Sequence, residues 1–255
     1  MKGKLFLLSQ LLRRDLSSRY AGSFGGPFWA LLNPLILCLL YAFVFEVILR
    51  IPPPKGFPGS ETEFLLAGLL PWLACQEALL RSTTSVTDQA HLVKKMHFPV
   101  ELLVASSIAA ALVLEVVGLA ILGGYVAASG HGVIQPGTLL VALAFQTLLL
   151  AGPCLALASL NVFFRDLPQI LSPALTIVLW TTPILYPESL VPPKIRAWLG
   201  INPFRDLVAL YRQALFGEAG PDPVRVATWA AVSAAALAGG LWFFRRSRRV
   251  FSDLL

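Results

Sequence analysis

Apolar runs long enough to cross a bilayer recur six times along this chain, near 28–49, 64–80, 102–126, 139–164, 170–186 and 224–244. A helix needs about 20 apolar residues to span about 30 Å of hydrocarbon. Within that layer every backbone N–H and C=O must be satisfied inside the structure itself. The expected fold class is therefore an all-α integral membrane protein with six transmembrane helices. Composition agrees: 56% of the 255 residues are hydrophobic and 13% are charged, about half the charge of an average soluble domain. A soluble core of this length could not hide so much apolar surface. Pro71, Pro153, Pro173 and Pro183 fall inside expected spans, where neighbouring helices can re-satisfy the carbonyls a proline frees. With no long polar linker and no repeat of 20–50 residues, residues 1–255 read as a single membrane domain.

The net charge of +6 does not point to nucleic acid. The basic residues sit at the ends of apolar runs rather than in one patch with interleaved aromatics, so a membrane surface is the expected partner. If the N-terminus is cytoplasmic, thirteen of the 20 lysines and arginines fall on the inside, and the positive-inside rule then places both termini in the cytoplasm. Cys38, Cys75 and Cys154 all lie within apolar runs, have no neighbours at metal-ligand spacing and are odd in number, so they are expected to be small buried hydrophobes. The stretch after Met1 does not read as a cleaved signal, because Ser9, Gln10 and then charges interrupt its apolar part.

Ahead of the first run, Leu5, Leu8, Leu12, Leu16 and Tyr20 recur at helical spacing, with Lys4, Arg13, Arg14 and Arg19 largely off that stripe. Such a helix lies in the membrane interface with its basic face toward anionic headgroups. It can serve as a plain anchor or shape a lateral entrance for an amphiphilic substrate. A glycine-rich elbow, Gly22 to Pro27, and the anchor Phe28-Trp29 lead from it into the bilayer.

The loop between spans two and three is a short helix candidate. Thr87 or Asp88 is available as N-cap, Gln89, His91 and Leu92 follow, Lys94 and Lys95 stand near the C-terminal end, and Pro99 is the stop. It is either a solvated basic loop or a rigid knob that docks on a partner protein. His91 and His97 do not share a helical face, so no metal site is expected. The segment 187–222 is too long and too apolar for an idle connection. Ile195, Trp198 and Leu199 form a small apolar group. Asn202-Pro203 then opens a helix with Phe204, Leu207, Leu210, Tyr211 and Leu215 on one side, Arg205, Ala209, Arg212 and Gln213 on the other, and Gly217 as the stop. This is a re-entrant hairpin or an interfacial helix.

Glu115 is the one carboxylate deep in an apolar run, and its cost in hydrocarbon requires it to face protein or water. It is a functional candidate or a hydrogen-bonding partner of a neighbouring helix. Glu46 and Arg50 offer each other a local pairing at i, i+4. Trp29, Trp72 and Tyr186 fit an interfacial aromatic belt. Tyr41, Phe45 and Trp180 lie deeper and can stack on sugar rings along a conduit or simply pack between helices. No phosphate-binding Gly-Lys-Ser/Thr loop, nucleophile elbow, His-Glu-x-x-His or catalytic carboxylate pair is present, so no catalytic residue, resident cofactor or metal is expected and an energy source must come from a partner.

Taken in order, these segments resemble a known family. Arg14-Asp15-Leu16, Arg19-Tyr20, Gly22-Ser23, Gly26-Pro27 and Trp29 through Pro34 resemble the start of permeases of type 2 ABC exporters, nearest to the branch exporting O-antigen, capsule or teichoic acid. Leu92 to Lys95 with Phe98-Pro99, Asn161 to Asp166, Pro183 to Tyr186, Asn202 to Phe204, Tyr211-Arg212, Phe216-Gly217 and Phe251 to Asp253 match later segments of that family. The first outer loop, with Pro52-Pro53-Pro54, departs from its common pattern. The resemblance implies a homodimer forming one conduit, with two copies of a separate nucleotide-binding ATPase subunit that holds the ATP and Mg. It further implies a gate helix at 4–21, a cytoplasmic coupling helix at 86–99, an outer helical hairpin at 187–222 and channel aromatics at Tyr41, Phe45 and Trp180. The expected cargo is a lipid-linked polysaccharide of the O-antigen type, crossing the bacterial cytoplasmic (inner) membrane. A teichoic acid or capsule exporter, a drug or small-lipid exporter, and a non-transporting scaffold are the alternatives.

Overall fold

The computed structural model describes residues 2–18, 32, 35–37, 39–41, 43–50, 52–95 and 98–255. Their regular secondary structure is all helical, with no strand among them. Helix α1 runs over Lys2–Ser18, α2 over Glu61–Thr84, α3 over Ala90–Lys95, α4 over Glu101–Ser129 and α5 over Pro136–Phe163. After these come α6 at Leu167–Thr181, α7 at Pro193–Leu199, α8 at Pro203–Phe216 and α9 at Pro223–Leu254. Four of them, α2, α4, α5 and α9, are long and apolar enough to cross a membrane. The apolar α6 is shorter, at 15 residues. The expected first span, 28–49, is described in part: residues 32, 35–37 and 39–41 are helical, and a π-helical turn follows at Phe43–Ile48.

Helix α2 is the hub. It packs against α4, α5, α8 and α6, and its buried face runs from Phe64 through Trp72 and Cys75 to Leu79. Its start is fixed by a capping box: the Ser60 hydroxyl accepts from Glu63 N, and Glu63 Oε2 accepts from Ser60 N at 2.6 Å. Helices α5 and α9 form the most extensive pair, and small residues let them approach. A Cβ on Gly152 would stand 2.5 Å from the backbone carbon of Ala236, and one on Gly240 would stand 2.5 Å from the Gly152 carbonyl oxygen. Close backbone approach through glycine is how helices associate where lipid removes the hydrophobic drive.

Several expectations change in detail. Pro71, Pro153 and Pro173 do lie inside helices. Pro183 instead lies past the end of α6, where its carbonyl is free to accept from Arg212 at 3.1 Å. Trp72 is no interfacial residue: it is 1% exposed, packed edge-on against Phe204 with ring centroids 5.3 Å apart. Its expected place near a span end is overturned because α2 begins at Glu61 and continues to Thr84. Cys75 and Cys154 are free and buried, and Cys38 lies outside the described residues.

Candidate functional site

The segment that follows α2 begins as consecutive turns rather than a helix. Residues 85–89 form turns and only Ala90–Lys95 is helical. The helix expected over 86–99 is therefore shorter, and neither Thr87 nor Asp88 caps it. Thr87 instead donates to the Thr84 carbonyl at 2.9 Å and accepts from Asn161 Nδ2 at 3.1 Å. That second bond ties the turn to the end of α5.

Two further helices hold the same segment. On α9, Arg248 donates to the Phe98 carbonyl at 2.8 Å and pairs with Glu101 at 3.3 Å. On α1, Arg14 donates to Gln89 Oε1. Next to it, Asp15 lies 4.0 Å from Arg81, and Arg81 also pairs with Glu77 at 3.0 Å. Leu92 and Val93 are half-buried, whereas Asp88, His91 and Lys94 are exposed. Spaced three apart, those three present one polar face outward. Of Lys95 only the backbone is described, and His97 lies outside the described residues. The arrangement is a short, braced, polar protrusion with α1 fastened to its base.

Helix α1 covers residues 2–18 of the expected 4–21 and packs against α4. Leu11 is its buried residue, at the edge of the expected stripe, while Leu8, Leu12 and Leu16 are half-buried and Leu5 is exposed. Arg13 is exposed, Arg14 is engaged by Gln89, and Arg19 and Tyr20 lie outside the described residues.

In the middle of the bundle, Glu115 is buried and paired. Gln146 on α5 donates to Glu115 Oε2 at 2.7 Å and lies 3.5 Å from the carbonyl oxygen of Pro71, and Tyr211 on α8 donates to Gln146 Oε1 at 2.5 Å. Pro71 lacks the N–H of an ordinary residue and disturbs the α2 ladder around it. One polar chain therefore joins α2, α4, α5 and α8. Gln146 and the hydroxyl of Tyr211 were missed in the sequence. The signal was present in Gln146, a lone amide in the middle of an apolar run.

The hairpin 187–222 contains a 3₁₀ turn at Glu188–Leu190, then α7 and α8. Helix α8 has the expected ends: Asn202 Oδ1 accepts from Phe204 N at 3.0 Å, Pro203 stands at the first position, and Gly217 takes φ 71°. Leu207, Leu210, Tyr211 and Leu215 are buried as expected. Arg212, expected on the polar side, is buried too. It donates to the carbonyls of Phe64, Pro183 and Ile184, and its guanidinium carbon lies 3.5 Å from the centroid of the Phe64 ring. Gly68 lies against it: a Cβ there would stand 3.1 Å from Arg212 Nη2 and 3.1 Å from Val208 Cγ1, closer than ordinary van der Waals contact. Burial raises the nearby Glu218 carboxyl, with Arg212 opposing. Asp206 is buried against Arg225, 2.9 Å away, which fastens α8 to the start of α9. Glu46 accepts from the Thr62 hydroxyl, a partner other than Arg50.

Tyr41, Phe45 and Trp180 are not brought together. Phe45 is buried, with the Tyr41 ring 6.4 Å away. Trp180 is 51% exposed and lines a cavity of about 550 Å³ with Tyr186, Trp198, Asn202 and Phe204. Among the described residues no group of His, Cys, Asp or Glu is arranged to hold a metal ion.

Comparison with known proteins places this architecture. The family described as ABC-2 type transporter matches residues 7–216. An O-antigen export system permease protein RfbA of Myxococcus xanthus is 33% identical over 254 residues, covering 97% of this chain and 94% of the relative. Two proteins of the same description from Klebsiella pneumoniae are 27% and 29% identical over 218 residues, covering 83% and 82% of this chain. With the family match spanning most of its length and a relative this similar across nearly all of it, the chain belongs to the ABC-2 type transporter family.

Proposed function

We propose that this chain is the membrane-spanning subunit of an ATP-driven exporter that carries lipid-linked O-antigen polysaccharide across the bacterial cytoplasmic membrane. The observation that carries the reading is the end-to-end similarity to permeases described as exporting O-antigen. In the functional unit two copies of this six-span chain line one conduit. Two ATPase subunits, holding ATP and Mg, dock on the protrusion at 86–99, and both termini are cytoplasmic.

The bracing of that protrusion supports the role. A push on the exposed face of Asp88, His91 and Lys94 reaches α1 through Arg14 and Gln89, and reaches α5 and α9 through Asn161 and Arg248. Helix α1 then moves with the ATPase cycle and admits the lipid end of the cargo, whose phosphate is drawn by Arg13, Arg14 and Arg19. Tyr41, Phe45 and Trp180 are the proposed stacking surfaces of the conduit for sugar rings.

Native mass spectrometry of the chain, purified in mild detergent from its own host, tests the assembly. Two copies with two nucleotide-binding subunits are expected. A lone chain, recovered under conditions that preserve other membrane complexes, would overturn the reading. Transport of lipid-linked O-antigen into inverted vesicles, dependent on ATP, tests the cargo.

A further inference from the structure

Helix α9 is longer than a membrane is thick. Its 32 residues span about 48 Å at about 1.5 Å per residue, against about 30 Å of hydrocarbon. Measured from Pro223, the hydrocarbon ends near residue 243, so Trp242 stands at the boundary and Arg245, Arg246 and Arg249 stand at headgroup depth. This holds whichever side of the membrane that end occupies.

At about 100° per residue, Ala238, Leu241, Trp242, Arg245, Arg246 and Arg249 fall on one side of the helix. Phe244, Ser247 and Phe251 fall on the opposite side and are buried. The first six line an open cleft of about 560 Å³. Trp242 is 69% exposed. Of the four arginines in this stretch only Arg248 is spoken for, by Glu101 and the Phe98 carbonyl. No carboxylate pairs with Arg245, Arg246 or Arg249 among the described residues. Arg245 and Arg249, at i, i+4, repel one another. Three unpaired guanidiniums with an indole beside them, at headgroup depth, make a cationic, half-apolar surface suited to an anion in the membrane plane. Planar guanidinium forks suit phosphate oxygens.

We propose that Trp242, Arg245, Arg246 and Arg249 form a binding site for an anionic phospholipid of the surrounding leaflet. The arginines hold its phosphates, and the wall of Ala238, Leu241 and Trp242 receives the upper part of its acyl chains. A headgroup with two phosphates, as in cardiolipin, matches three cations lining one cleft better than one with a single phosphate. The site does not depend on which polymer is exported.

The test is native mass spectrometry of the full-length chain in detergent, titrated separately with cardiolipin, phosphatidylglycerol and phosphatidylcholine. Retained adducts in the order cardiolipin, phosphatidylglycerol, phosphatidylcholine are expected. In the R245Q/R246Q/R249Q variant cardiolipin occupancy should fall roughly tenfold or more, whereas K55Q/K194Q, which removes two exposed cations elsewhere on the chain, should leave it unchanged. Should the triple variant fail to elute as the wild type does in gel filtration, R246Q alone serves, with a severalfold loss expected. Equal retention of phosphatidylcholine, or undiminished cardiolipin adducts in a folded arginine variant, overturns the proposal.

Discussion

Glu115 was expected to be either a functional residue or a hydrogen-bonding partner of a neighbouring helix, and its surroundings argue for the second over a proton-carrying role. Its partner is the amide of Gln146, which also lies 3.5 Å from the Pro71 carbonyl oxygen and accepts from the phenol of Tyr211. An amide cannot pass a proton on as a carboxylate does, so the chain of bonds serves to hold four helices in register. Glu115→Gln keeps an acceptor at the same place and should leave ATP-driven transport within about twofold of wild type. Loss of transport with normal expression would make Glu115 a proton carrier. Tyr211→Phe strands Gln146 Oε1 and should lower stability by about 1 kcal/mol, seen as an earlier melt in detergent. Arg212 carries a further lesson. It looked solvated from helical spacing alone, but it is buried because the irregular stretch at Pro183 and Ile184 and the carbonyl of Phe64 offer it acceptors. Nothing local to Arg212 announces carbonyls that arrive from 28 and 148 residues away.

Among the helices, those whose boundaries rest on hydropathy and caps were legible, because both signals are local. The expected spans at 64–80, 102–126, 139–164 and 224–244 correspond to α2, α4, α5 and α9; α2 and α4 extend theirs by a few residues, α5 starts three residues earlier, and α9 runs ten residues past 244. The short α3 was misjudged at its start, because Thr87 and Asp88 look like caps until Asn161 is seen to bind Thr87. The pairing of α5 with α9 depends on contact between distant glycines and could not be read from either helix alone. Gly152→Val would put its branched carbons into the Ala236 backbone, and should destabilise the fold by about 3 kcal/mol and lower the yield of folded protein. The link from α1 to the protrusion makes a functional prediction. Arg14→Leu or Gln89→Leu removes it without touching the exposed face of Asp88, His91 and Lys94, so transport should fall several-fold more than ATPase activity in the reconstituted complex. Parallel loss of both would remove α1 from the coupling route.

For the molecule as a whole, orientation decides whether the protrusion can meet an ATPase at all. In the proposed six-span topology residues 86–99, the α5–α6 turn at Arg165 and both termini share one side, with the hairpin 187–222 on the other, and the positive-inside rule would make the first side cytoplasmic. The packing is consistent with that arrangement, because Arg248 near the end of α9 reaches the same segment as Arg14 of α1. Cysteine labelling can read this directly. Cys75 and Cys154 are buried at 0% exposure and should contribute little background, and Cys38→Ala removes the third cysteine. In that background His91→Cys and Arg165→Cys should react with a membrane-impermeant maleimide only in inverted vesicles. Ala219→Cys, in the exposed end of the hairpin, should react only in intact spheroplasts. The reverse pattern would put the protrusion on the outer face, where no nucleotide-binding subunit works, and would overturn the exporter reading together with the assignment of α1 as its gate.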